Sequence, residues 1–189
     1  MANRRWLMIV AAMAIALMQT TVCAAAGKGA HSDDTGIFAT FAKLSYVQQG
    51  HGSRLMYVFI DPNCPYCHKL YMELQSKIGP EHLTVRWVPL GILTTTSAGK
   101  AAAIVGAKDP ASALKYNETH YARGQGGGIE EALPDQHVSD LLKANEHAWS
   151  QTGATGVPTI IFHDKSGRPT MVQGGPTPAQ LKKLLTHVH

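Results

Sequence analysis

Residues 55–70 read LMYVFIDPNCPYCHKL, and this stretch decides the fold. Its first six residues are apolar, and their aromatic and β-branched content predicts a strand that is buried on both faces. From Pro65 onward the apolar residues recur at helical spacing, which predicts a helix with Cys67 and Leu70 on its inner face. Cys64 and Cys67 therefore lie where a buried strand passes into a helix.

The position of the two cysteines suits thiol-disulfide chemistry. A helix N-terminus presents unpaired N–H groups and about half a positive charge, which stabilise a thiolate more than a thiol. We therefore expect Cys64, at the exposed tip, to have a lowered thiol pKa and to act as the nucleophile on a disulfide sulfur. Cys67 lies one turn further on and faces inward, so it would resolve the mixed disulfide and form a redox-active disulfide with Cys64. Pro65 suits the first helical position, where its missing N–H costs nothing.

The order of the remaining elements predicts an α/β protein. Strands are expected at residues 83–90, 159–163 and 170–173, the last two forming a hairpin, and helices at residues 37–47, 101–107 and 111–121, after Asp135 and after Thr177. A helical insertion at about residues 97–152 thus separates the second strand from the terminal hairpin. Residues 48–53 are expected to form a loop. The glycine-rich run 124–128 is expected to be a flexible connector, because no strand leads into it as one would into a phosphate-binding loop.

The first 26 residues have the order of a secretory signal. Two arginines precede the apolar run 6–18, which is well short of the roughly 20 residues that span a bilayer. Small residues at Ala24 and Ala26 place the cleavage before Gly27, so residues 27–54 form a lead-in with part of a linker helix and residues 55–189 form the main domain. Cys23 would be removed; the alternative, a lipidated Cys23, has a poor approach sequence. The chain would then reach an oxidising compartment.

Other functions are open to the same residues. The formal net charge of +4 comes without a basic run, which argues against a nucleic-acid binder. A zinc site is disfavoured because no second cysteine pair or suitably spaced histidine pair exists, so we expect no metal. A c-type haem protein is a sharper alternative, because His68 completes a C-x-x-C-H pattern. Against it, the pattern follows a buried strand, and Met171 is the sole methionine far downstream to serve as a second axial ligand.

Several motifs in one order carry a family resemblance. They are residues 57–67, the segment Val88-Pro89-Leu90-Gly91, residues 101–104 with 108–110, Asn145-Glu146 and Gly156-Val157-Pro158. Over about residues 55–185 the chain resembles the thioredoxin superfamily, and most closely the catalytic domain of the periplasmic thiol:disulfide interchange proteins of DsbG and DsbC type. The predicted fold is therefore thioredoxin-like.

The resemblance implies a set of site residues and partners. Pro158 would be cis beside the cysteine pair, and substrate main chain would pair near Val157, with Pro65 and Tyr66 also in contact with substrate. No cofactor is implied. The partners would be unfolded or misoxidised secreted proteins and a membrane thiol reductant of DsbD type, in the periplasm.

Two departures from the family bear on the activity. Residues 27–54 leave no room for the N-terminal dimerisation domain of these relatives, so we expect a monomer. Val157 stands where DsbC and DsbG usually have threonine, as it does in the DsbA oxidases. A disulfide reductase or isomerase, able also to reduce sulfenic acids, ranks first and a DsbA-like disulfide donor second. A holdase in which the cysteines are secondary is a third hypothesis.

Overall fold

The computed structural model describes residues 34–189. The expected signal sequence, its cleavage site and Cys23 lie outside the described residues. Within residues 34–189 the chain forms six helices and five strands, in the order α1 (Asp34–Phe41), β1 (Val47–Gln49), β2 (Arg54–Ile60), α2 (Pro65–Gln75), β3 (Leu83–Pro89), α3 (Ser97–Val105), α4 (Pro110–Thr119), α5 (Gln136–Gln151), β4 (Thr159–His163), β5 (Pro169–Gln173) and α6 (Pro178–Leu185).

The strands form one five-stranded sheet in the order β1-β3-β2-β4-β5. Strand β2 lies at the centre, parallel to β3 and antiparallel to β4, and α2 is the crossover between the two parallel strands. The last five residues of β2 are all buried, as the apolar run predicts. Helix N-caps agree with the sequence as well: the side chains of Asp135 and Thr177 accept hydrogen bonds from the first turns of α5 and α6. The α/β fold with helices α3–α5 inserted before the terminal hairpin is confirmed.

Strand β1 corrects the prediction for residues 37–53. The helix predicted over residues 37–47 ends at Phe41, and Val47–Gln49 is a strand rather than the start of a loop. The strand pairs antiparallel with β3, where Val47 lies opposite Trp87. Trp87 Nε1 also donates a hydrogen bond to Gln49 Oε1 at 2.8 Å. This polar three-residue edge strand is held by its hydrogen bonds to β3. Because it is so short and polar, its sequence contains no alternating apolar pattern that would predict a strand.

The glycine-rich run 124–128 is an ordered loop and not a flexible connector. Ala122 and Gly126 exchange backbone hydrogen bonds at 2.9 Å, and the N–H of Gly127 donates to Pro62 O at 3.1 Å. A Cβ atom at Gly126 would lie 2.0 Å from Asn63 Oδ1, so glycine is required for the close approach. The loop is therefore packed against the segment that precedes the cysteines. No helix in residues 34–189 combines the length and the apolar character needed to cross a membrane.

Candidate active site

Cys64 lies at the junction of β2 and α2, as expected. It is the N-cap residue of α2, in extended conformation, and its Sγ accepts a hydrogen bond from the N–H of Cys67 at 3.3 Å. Pro65 occupies the first turn and leaves no N–H unpaired there. An N–H group in the first turn of α2, which has no partner within the helix, therefore donates to the Cys64 sulfur.

Both cysteines are buried, which corrects the expectation of an exposed Cys64. Cys64 is 3% exposed and Cys67 is 1% exposed, and both are free thiols. The segment that enters β4 covers Cys64: the Cys64 thiol donates to Val157 O at 3.6 Å, and the Val157–Pro158 peptide is cis, as the resemblance implies. This cover comes from 93 residues further along the chain, so it could not be read from the local pattern.

The pKa values of the two thiols are shifted in opposite directions. The pKa of Cys64 is lowered, chiefly by a hydrogen bond from the Cys67 side chain, with the N–H groups of Cys67 and Tyr66 adding to this. Burial raises the pKa of Cys67 well above its usual value, and the neighbouring Cys64 raises it further. Asp61 opposes the Cys64 thiolate only weakly, as the last of these influences. At neutral pH the pair therefore presents one activated sulfur and one protonated reserve thiol.

Tyr66 projects between two clefts that flank the cysteine pair. It is 57% exposed. The larger cleft, about 1040 Å³, runs between α2 and the loop 121–126, and the smaller, about 670 Å³, runs between α2 and residues 175–178. Pro65 lines the first cleft, and Tyr66 lines both. The structure therefore brings the predicted contact residues Pro65, Tyr66, Val157 and Pro158 around the cysteine pair.

A polar network behind the cysteines was missed by the sequence analysis. The Asp61 carboxylate, fully buried, accepts from the N–H groups of Asn63, Ile92 and Leu93 and from Ser97 Oγ, all at 2.8–3.0 Å. Asn63 Nδ2 donates to the hydroxyls of two threonines in the loop before α3. Asp61 and Asn63 thus fix the turn that carries Cys64 to the loop after β3.

Lys100 on α3 holds the glycine-rich loop against this turn. Its ammonium is buried and donates to Asn63 Oδ1 at 3.0 Å and to Gly127 O at 2.6 Å, with a longer bond to Gln125 O at 3.4 Å. No carboxylate in residues 34–189 forms an ion pair with it. The cation is satisfied by carbonyl oxygens alone, so the loop carbonyls must stay in place.

Glu118 on α4 is a second buried ionisable group near the cysteines. It is 1% exposed, and burial raises its pKa to about 8, with an added contribution from Cys64. Its Oε2 lies 3.5 Å from His68 Nδ1, and the His68 ring stacks on Tyr121 with centroids 4.5 Å apart. His68, the histidine of the haem alternative, therefore packs against two residues of the helical insertion, Glu118 and Tyr121. Among residues 34–189 no three His, Cys, Asp or Glu side chains converge as metal ligands would.

Comparison with known proteins places the chain in a family. The family described as "Thioredoxin-like domain" matches residues 43–189. The chain belongs to this thioredoxin-like domain family. Its fold is also that of a periplasmic thioredoxin-like protein from Salmonella enterica serovar Typhimurium, with a TM-score of 0.65, 18% identity and coverage of 79% of this chain and 93% of the other.

Two relatives by sequence are thiol:disulfide interchange proteins. DsbG of Pseudomonas aeruginosa is 31% identical over 133 residues, which cover 70% of this chain and 51% of the relative. The probable DsbC of Bordetella pertussis is 40% identical over 119 residues, or 63% of this chain and 38% of the relative. The chain thus spans about half the length of the DsbG relative. The resemblance seen in the sequence is confirmed.

Proposed function

We propose that the protein is a thiol-disulfide oxidoreductase that reduces or isomerises disulfides in secreted proteins. The observation that carries this proposal is the asymmetry of the pair: Cys64 Sγ accepts an N–H bond at the start of α2, while Cys67 is buried with a raised pKa. Such a pair is suited to an attack by one sulfur followed by a slower attack by the other.

The reaction has two exchange steps. The Cys64 thiolate attacks one sulfur of the substrate disulfide, so that a Cys64–substrate bond forms and the second substrate sulfur leaves as a thiolate and takes up a proton. Cys67 then loses its proton and attacks Cys64 Sγ. The Cys64–Cys67 disulfide forms, the first substrate thiol is released, and the substrate has gained the two electrons of the dithiol.

Substrate binding is assigned to the groups around the pair. Val157 O already accepts a hydrogen bond from Cys64, so the main chain of residues 157–158 lies where an extended substrate segment would pair. Pro65 and Tyr66, at the start of α2, line the adjacent larger cleft. The exposed Tyr66 and Met72 offer apolar contact to an unfolded segment. Sulfenic acids on single cysteines would be reduced by the same Cys64 attack, with water leaving.

The proposed setting is the periplasm, where a membrane thiol reductant of DsbD type would return the Cys64–Cys67 disulfide to the dithiol. The proposal requires no cofactor. A DsbA-like disulfide donor is the second candidate, and Val157 before the cis proline is the observation that favours it.

The test uses three proteins: the parent chain, Cys67→Ser and Cys64→Ser. With a reduced parent we expect loss of disulfide from a scrambled secreted protein. Cys67→Ser should accumulate mixed disulfides and Cys64→Ser should form none. Mixed disulfides formed through Cys67 would contradict the assignment. Equilibration with glutathione and trapping of the redox state in cells separates reductant from donor; an almost wholly oxidised pair would favour the donor.

A further inference from the structure

The larger cleft beside Cys64, called here the basic cleft, has two unlike walls. One wall is the first turn of α2, with Tyr66, His68 and Lys69, and the other is the loop from Tyr121 to Gly126, which includes Arg123. The second wall belongs to the helical insertion. The cleft therefore exists only because the insertion is folded against the cysteine motif.

The charged side chains of the basic cleft are all cationic. Lys69 and Arg123 are both exposed, and no Asp or Glu lines the cleft. Neither residue takes part in an ion pair within residues 34–189. Glu118, which faces His68 from below, is buried, and its pKa of about 8 leaves it largely uncharged at pH 7. Asp61 is buried under four donors. The cleft thus offers two unpaired positive charges to a bound segment.

The loop wall is held in place before any substrate binds. The backbone bonds between Ala122 and Gly126 close a tight turn that presents Arg123. Lys100 fixes the far side of this turn through the carbonyls of Gln125 and Gly127. Because the backbone of this turn is already ordered, binding has to order only the Arg123 side chain, which favours its use in recognition.

The smaller cleft on the other side of Tyr66 differs in chemistry. Its lining includes Met72, Pro176 and Pro178, and Lys69, which borders both clefts, is accompanied here by a carboxylate, Glu73. A segment that crosses the cysteine pair would therefore meet an excess of positive charge on the Arg123 side and a surface of balanced charge on the Glu73 side.

We propose that the basic cleft selects protein substrates that carry Asp or Glu side chains on one side of the reacting cysteine. This inference rests on the proposed function, because it names the substrate class for the Cys64 reaction. The attraction is between exposed charges, so it decreases with salt and acts mainly on capture of the substrate.

The experiment compares disulfide-bonded peptides that differ only in two residues flanking the cysteine. These are Glu, Gln or Lys, placed before the cysteine in one set and after it in the other. The measured quantity is kcat/KM for reduction, divided by the rate of each peptide with dithiothreitol, which removes the effect of the flanks on the disulfide itself. We expect the Glu peptide of one set to exceed its Gln counterpart by about two- to fivefold for each cation engaged. The Lys peptide of the same set should be reduced more slowly than its Gln counterpart. In the other set the Glu, Gln and Lys peptides should have similar normalised rates.

Variants assign the preference to the cleft. Arg123→Gln and Lys69→Gln should each reduce the Glu-over-Gln ratio, with the larger loss for Arg123→Gln, because Arg123 lines only the basic cleft. Lys165→Gln, in the hairpin turn at the opposite end of β4, is the matched control and should keep the ratio. Equal normalised rates for all three flanks, or a preference that survives both cleft variants, would overturn the inference. Failure to reduce any peptide would instead overturn the proposed function.

Discussion

Glu118 is a carboxyl group placed where ionisation is costly. It is buried on α4, and His68, Asn117, Tyr121 and the cysteine pair are the polar or titratable groups that face it. Its pKa rises from 4.5 to about 8 in the folded protein. The folded state therefore binds one more proton than the unfolded state between these pH values, and stability falls as the pH rises through that window.

Glu118→Gln should remove this pH dependence. Each pKa unit corresponds to about 1.4 kcal/mol, so the variant should gain on the parent by a few kcal/mol between pH 5 and pH 8. Urea unfolding at several pH values measures the effect. Glu130→Gln, which removes an exposed carboxylate of the same charge, should follow the parent. A parent whose stability rises steadily from pH 5 to pH 8 would contradict the expected burial effect.

Cys64 should be alkylated much faster than Cys67 in the reduced protein. Both sulfurs are buried, so the difference arises from acidity: the thiolate fraction of Cys64 is raised and that of Cys67 is suppressed. Iodoacetamide at pH 7, followed by peptide mass spectrometry at timed intervals, reads the two rates separately. Equal rates, or a faster Cys67, would contradict the division of roles.

At the residue level the sequence and the family resemblance predicted the cysteine pair and its neighbours Val157 and Pro158, but not the buried charged groups nearby. In a C-x-x-C motif at a strand–helix junction, the spacing alone places the first cysteine at the helix N-terminus and the second one turn further on. Glu118 and Lys100 lie in helices where a charged residue ordinarily faces water. Apart from Asn117 beside Glu118, the polar groups that they contact come from distant parts of the chain. No short-range pattern distinguishes them from surface residues.

At the level of elements, the contact between α3 and the glycine-rich loop determines one wall of the site. Lys100→Met keeps most of the side-chain volume and removes the donors to Gly127 O and Asn63 Oδ1. Buried acceptors left without donors cost about 1–3 kcal/mol. We therefore expect lower stability in urea and faster hydrogen exchange at the amides of Gly127 and Gly128.

Lys115→Met, on the exposed face of α4, serves as the control and should change neither quantity. If Lys100→Met left the exchange of both amides at the parent rate, the loop would be held by its backbone hydrogen bonds without help from the lysine.

Elements with strong local signals were predicted and those without were not. Strand β2 is continuously apolar, and α5 and α6 begin at side-chain caps, so their type and start follow from neighbouring residues. Strand β1 has the sequence VQQ and exists because β3 offers it an edge. The glycine-rich loop was misjudged because its order comes from Lys100, Asn63 and Asn117 and not from its own composition.

At the scale of the whole molecule we expect a monomer. The large apolar side chains exposed in residues 34–189 form no single patch in the sequence of elements: Tyr66 and Met72 lie on α2, Ile92 and Leu93 follow β3, and Tyr116, Leu133 and Met171 lie on three other segments. A stable dimer buries about 1,200–2,000 Å² in a contiguous patch, which such scattered side chains do not supply.

Light scattering after size exclusion at micromolar concentration measures the mass. A stable dimer would contradict the expectation.

The cover that Val157 places over Cys64 has a consequence for the timing of biosynthesis. A polypeptide leaves the ribosome N-terminus first, so Cys64 is made 93 residues before the carbonyl that shields it. At translation rates of about 5–20 residues per second this interval lasts roughly 5 to 20 seconds. During this interval Cys64 lacks the cover that Val157 gives it in the folded protein. A chain that terminated before β4 would never acquire this cover. Its Cys64 and Cys67 thiols would lack the main chain of residues 157–158, which the proposed function assigns to substrate binding.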